Sequence, residues 1–151
     1  MIAPEGLMPV RSTELSCGYD FFAPEELNLG PEWTEVNTHV RLTDEDEVIL
    51  YENIPEDVRE GLAYLPRMVG LFIFPKSGLA REYKFHFPNI VPIIDLDYRD
   101  EIILYIRTDV ACRIEKGQKF VQGVFLPTGI LRNEIPPTAK RNGGFGSTGA
   151  F

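Results

Sequence analysis

KFVQGVFL, residues 119–126, decides the fold class. It is rich in β-branched and aromatic residues and follows Gly117, which marks a tight turn into a strand. VGLFIF at 69–74 and IILYIR at 102–107 have the same character, and KFHF at 84–87 alternates polar with apolar. Prolines and glycines punctuate the chain, and the runs between them are short. The pattern predicts strands of a compact all-β barrel or sandwich. One segment departs from it. PEDVREGLAYL, 55–65, places Val58, Leu62 and Leu65 on one helical face, with Pro55 suited to a first turn and Gly61 against it. TDEDEV, 43–48, reads as a solvated acidic loop before that helix.

The 151 residues are expected to form one domain with room for a core. A net charge of −8 argues against a surface that coats nucleic acid or membrane, though not against a local cationic pocket. No apolar run approaches the ~20 residues that span a bilayer. MIAPEGLMPVRSTELS lacks a charged start followed by an apolar stretch, so no signal peptide is expected. Cys17 and Cys112 are too few for a disulfide scaffold, which points to a reducing, cytoplasmic setting. His39 and His86 form no ligand cluster with them.

Five polar clusters interrupt the strands. CGYD, 17–20, suggests a turn exposing Asp20 at a strand edge; alone it reads as an ordinary hairpin. FPKSGLA, 74–80, can present backbone amides and Ser77 to an anion, or be a plain strand-to-helix turn; it lacks the spacing of a P-loop. In NIVPIIDLDYRDE, 89–101, Asp95 and Asp97 share one face of an extended segment, with Tyr98 on the other. Paired carboxylates repel unless chemistry uses them. KGQKFVQ, 116–122, sets Gln122 in a strand with both donor and acceptor groups. The fifth is RNGGFGSTGAF, 141–151. Its four glycines cannot make a helix or strand interior. Arg141 and Lys140 bring positive charge, Ser147 and Thr148 bring hydroxyls, and Phe145 offers a flat ring to a base.

In this order, from Cys17 to Phe151, the clusters resemble those of the homotrimeric dUTP diphosphatases. The third and fifth are the most specific. The resemblance implies a distorted jelly-roll-like β-barrel with one short helix in an insertion. It implies a single domain over 1–151, whose Gly-rich arm, about 140–151, is mobile until nucleotide binds. It implies a homotrimer with active sites at subunit interfaces, taking dUTP to dUMP and pyrophosphate, with Mg2+ as cofactor and without nucleic-acid or membrane partners. The implied setting is intracellular, an infected host cell included.

Carried over by motif, Asp95 orients and deprotonates the attacking water. Tyr98 packs under the deoxyribose and leaves no room for a 2′-hydroxyl. Asn89 and the 89–95 hairpin read the uracil edge. Asp20 holds waters around the phosphate-borne magnesium. Lys76 and Ser77 contact the phosphates, Gly78 permits the turn, and Gln122 contacts the α-phosphate. Phe145 closes over uracil, while Ser147, Thr148 and either Lys140 or Arg141 hold the terminal phosphate.

The chain departs from the family pattern at several points. Lys76 stands where arginine is usual, which replaces a bidentate contact by a point charge. Pro92 and Asp100 replace glycines, and Pro92 has no amide to donate. The surplus between the first two motifs falls around 43–65; it is expected to pack outside the barrel and to be dispensable for hydrolysis. Two alternatives are a dCTP deaminase of the same fold and a dUTPase-fold protein acting through a partner bound at 43–65.

Overall fold

A computed structural model describes residues 1–44 and 68–129, together with Asn133 and Gly144. The expected helix at 55–65 and nearly all of the 140–151 arm, including Lys140, Arg141, Phe145, Ser147 and Thr148, lie outside the described residues. The regular secondary structure of the described chain is strand apart from one short helix. In order it runs β1 (Val10–Arg11), β2 (Tyr19–Phe22), β3 (Leu27–Leu29), β4 (Thr34–Asn37), β5 (Met68–Pro75), α1 (Ser77–Tyr83), β6 (Phe85–His86), β7 (Ile93–Asp95), β8 (Ile103–Thr108), β9 (Cys112–Ile114) and β10 (Lys119–Thr128). The decisive stretch forms β10, and the other predicted strands are β5, β8 and, shortened to two residues, β6. The described helix, α1, grows out of the Lys-Ser-Gly turn rather than out of the insertion.

The strands form a five-stranded sheet β1-β2-β10-β5-β7, a three-stranded sheet β4-β8-β6 and a β3-β9 pair. β10 pairs antiparallel with β5 from Val121↔Pro75 to Thr128↔Met68, and with β2 through Gln122↔Asp20. β8 keeps strict alternation: Leu104, Ile106 and Thr108 point inward while Tyr105 and Arg107 are more exposed. β10 does not, because its register against β2 shifts between Lys119 and Val121. The extra residue buries Phe120 and Val121 in succession. Lys119 and Gln122, three apart, therefore both remain partly exposed.

One apolar cluster joins all the sheets: Phe21, Leu71, Ile73, Phe120 and Val121 from the large sheet, Leu104 and Ile106 from β8, Ile114 from β9. Gly123 sits where this packing is closest. A Cβ there would lie 2.8 Å from Leu71 Cδ1 and 2.9 Å from Phe21 Cε2. Among the described residues no helix is long and apolar enough to cross a membrane.

Gly123→Ala is expected to cost roughly 1–3 kcal/mol, as overpacking does in tight cores. The urea midpoint checks this; an unchanged midpoint would mean the core yields at this point without cost.

Candidate active site

Two clusters of polar groups lie at opposite ends of the large sheet. The first is built on β2, β10 and the end of β5. Asp20 lies inside the sheet, with β1 on one side and β10 on the other, and its side chain is only 3% exposed. This corrects the expectation of an exposed strand-edge residue: pairing on both sides removes the edge. Oδ1 accepts from Lys76 Nζ at 2.5 Å. Oδ2 accepts from Ser12 Oγ at 2.6 Å and stands 2.9 Å from Lys119 Nζ, which also donates to Ser12 Oγ at 2.7 Å. Burial alone would raise the Asp20 pKa, but hydrogen bonds from Lys119, Lys76 and Ser12 outweigh it and hold it at about 2. The carboxylate is thus ionised and holds two ammonium groups side by side.

Gln122 stands across from Asp20, and Gly18 makes room for it. A Cβ on Gly18 would meet Gln122 Oε1 at 2.8 Å. Ser77 and Gly78 open α1 just beyond Lys76, both exposed. Gly78 lies within the helix, with nothing within 4 Å of its would-be Cβ, so the local turn does not require a glycine there.

The second cluster surrounds a cavity of about 360 Å³ lined by Pro88, Asn89, Pro92, Ile93, Ile94, Asp95, Tyr98, Tyr105 and Gly144, among others. That volume suits a small ligand. The stretch after Asp95 is not extended, as the two-apart acids had suggested. β7 ends at Asp95, and Tyr98 N–H donates to the Asp95 carbonyl at 3.0 Å, which closes a turn. Asp95 and Asp97 are exposed, and Tyr98 is buried with its hydroxyl donating to the Glu101 carbonyl at 3.2 Å. Asn89 is exposed at the cavity rim. Next to it Val91 N–H donates to the Asn89 carbonyl at 2.6 Å, with Ile90 at the apex at φ +65°. A β-branched residue in that region is strained by about 1–3 kcal/mol, as happens at functional sites. Gly144, from the tail, lies so close to the Tyr98 ring that a Cβ would be 2.7 Å from Cε2.

The fold therefore brings Asp20, Lys76 and Gln122 together, and separately Asn89, Asp95 and Tyr98. Sequence reasoning missed Ser12 and Lys119. Neither carries a local signal, since the bulge and the β1–β2 pairing create their contacts.

The described chain is thus a β-rich fold that carries a paired-lysine cluster and a cavity of small-ligand size. The sequence model of the dUTPase family matches residues 58–149. A deoxyuridine 5'-triphosphate nucleotidohydrolase of Lactococcus lactis is 33% identical over 95% of this chain and 88% of its own length. The chain belongs to the dUTPase family. Among solved structures, a dUTPase from Streptococcus mutans aligns with a TM-score of 0.61 at 23% identity, over 88% of this chain and 94% of that one. A dUTPase from phage phi11 of S. aureus aligns at 0.58 with 20% identity, over 93% and 95%; its structure describes the coordination of a structural Mg(II) ion. These likenesses agree with the jelly-roll-like β fold.

The folded-state pKa of Asp20, about 2, lies below its ordinary 3.8. The unfolded chain takes up this proton first as pH falls. The stabilisation is therefore complete above about pH 4 and is lost as pH drops through about 2. Thermal unfolding of the parent should weaken over that window, and Asp20→Asn should flatten the slope there while starting less stable at neutral pH. Equal acid slopes in the two proteins would contradict this coupling.

Proposed function

We propose that this chain hydrolyses dUTP to dUMP and pyrophosphate by attack of water at the α-phosphorus. The observation that carries the reading is one hydrogen-bonded turn at the lip of the cavity. It presents Asp95 at its first position and buries Tyr98 at its last. In this reading Asp95 accepts the proton of the attacking water, a role typically contributing about 10²–10⁴-fold in rate. Tyr98 forms a flat wall against the sugar, and Asn89 with the hairpin backbone reads the base. Pro92 has no N–H to donate and its carbonyl accepts from Ile73 N–H at 3.0 Å, so donor contacts to the base fall to the other hairpin groups. Lys76, Gln122 and Ser77 neutralise and orient the phosphates; charge neutralisation and positioning are what a triphosphate needs most. From the arm, Phe145, Ser147, Thr148 and Lys140 or Arg141 close over the bound nucleotide.

The donor set fits magnesium only as an ion carried by the phosphates. Among the described residues no group of three or more His, Cys, Asp or Glu could hold a metal. A carboxylate has about four acceptor positions. Three of those on Asp20 are taken by Lys76, Ser12 and Lys119, which leaves it one water-mediated contact. Magnesium keeps several waters and, when bound, supplies neutralisation of phosphate charge.

The separation of the two clusters supports an assembly with shared sites. Asp95 pairs with Gly70 and Gln122 with Phe74, so they lie four β5 residues apart, roughly 13 Å along the strand. One α-phosphate cannot touch both within one subunit. In a homotrimer, the Asp95 cavity of one copy meets the Asp20–Gln122 cluster of another. The free thiols Cys17 and Cys112 support a reducing, cytoplasmic setting.

Asp95→Asn should retain dUTP binding and lower kcat at least about 100-fold, the signature of a lost transition-state interaction. Mixing this variant with a Gln122→Ala variant, each nearly inactive alone, should restore pyrophosphate release after subunit exchange. A mixture no more active than its parts would sink the shared-site reading.

Tyr98→Ala should relax the preference for dUTP over UTP, because the ring no longer fills the space of a 2′-hydroxyl. The ratio of kcat/KM for the two nucleotides reads this directly, and an unchanged ratio would remove Tyr98 from discrimination.

A further inference from the structure

Arg99 lies outside the cavity and immediately follows the turn that carries Asp95 and Tyr98. Its guanidinium folds back over that turn. Nη1 donates to the Leu96 carbonyl and reaches the Tyr98 carbonyl at 3.5 Å. Nε and Nη2 donate to Asp44 Oδ1 at 2.9 and 2.5 Å. A planar fork of five donors holds carbonyls and a carboxylate at once in fixed directions, whereas a compact ammonium acts as a point charge. Arg99 therefore closes the outer side of the turn and fastens it to Asp44.

Asp44 has a particular place in the sequence. It opens the acidic run at 43–48, the start of the surplus 43–65 segment. The residues leading to it grip the far side of the same region. Glu101 Oε2 accepts from Asn37 Nδ2 at 2.6 Å and stands 3.3 Å from His39 Nδ1. Thr38 N–H donates to the Ile102 carbonyl at 3.0 Å, and Ile102 N–H to the Val40 carbonyl at 2.9 Å. Segment 37–44 thus holds residues 96–102 at both ends, and its last contact, Asp44, already lies within the surplus segment.

We propose that Arg99 is a positioning residue for the Asp95–Tyr98 turn, with Asp44 as its anchor, so that the start of the surplus segment is coupled to hydrolysis. This rests on the roles given above to Asp95 and Tyr98. It also narrows the expected dispensability of 43–65: Asp44 is required, whatever follows it. The side chains of Asp44 and Arg99 are 89% and 40% exposed, and an ion pair so open to water adds little to global stability. Its effect falls on geometry, where small displacements of a catalytic group are costly.

The test uses the full chain with Asp44→Ala, Asp44→Glu, Arg99→Gln, Arg99→Lys and the double Asp44→Ala/Arg99→Gln variant. Measured are kcat and KM for dUTP, the dUTP-to-UTP preference, Tm, and amide hydrogen exchange at Tyr98. Arg99→Gln should lower kcat roughly tenfold and Asp44→Ala roughly fivefold, with KM and Tm nearly unchanged. The double variant should be no worse than Arg99→Gln alone. Asp44→Glu should recover most of the loss, and Arg99→Lys should not. Exchange at Tyr98 should quicken in Asp44→Ala by a similar factor. Unchanged kcat and exchange in Asp44→Ala, multiplying losses in the double variant, or losses that track Tm would each overturn the proposal. An inactive parent would sink the dUTPase reading, whereas the exchange measurement judges the Asp44–Arg99 coupling without any turnover.

Discussion

The pairing of β10 with both β2 and β5 is the constraint on which the rest depends. A ten-residue strand bonded on both sides fixes the register of the large sheet. Its shift between Lys119 and Val121 then decides which side chains meet. Without it, Lys119 and Gln122 would point to opposite faces by simple alternation. With it, Lys119 reaches Asp20 and Gln122 fills the space left by Gly18. The same strand supplies Phe120, Val121 and the cramped Gly123 to the core, so core packing and the cationic cluster share one backbone path.

The two ends of this sheet do different physical work. One end stores positive charge against a buried carboxylate. The other offers an apolar cavity with a carboxylate and an aromatic at its lip. The strand β5 between them keeps the two ends apart within one chain, with Gln122 paired to Phe74 and Asp95 to Gly70.

Much of this was legible in the sequence, for identifiable reasons. Strands β5, β8 and β10 announce themselves because β-branched and aromatic residues concentrate in short runs between turn residues. The cavity residues Asn89, Asp95 and Tyr98 are close along the chain, so one motif carries them. What was not legible depends on register. Asp20 reads as an edge residue until β1 and β10 flank it. Asp95 and Asp97 read as one extended segment until the turn at 95–98 ends the strand. Ser12 and Lys119 meet across 107 positions through a bulge that no local pattern announces. The arm was identified by its glycines and its match to the family's last motif, and the surplus segment by the spacing between the first two motifs.

The charge on Asp20 has a wider consequence. Two lysines offset by one carboxylate leave this patch with a single surplus positive charge, on a chain whose net charge is −8. Fields from exposed charges fade over about 8 Å at physiological ionic strength. A small free nucleotide can come within that range of the patch while facing little of the remaining surface. A long polyanion would bring many of its phosphates against the remainder of a chain whose net charge is −8. Electrostatics of this kind favours a short anion over an extended one.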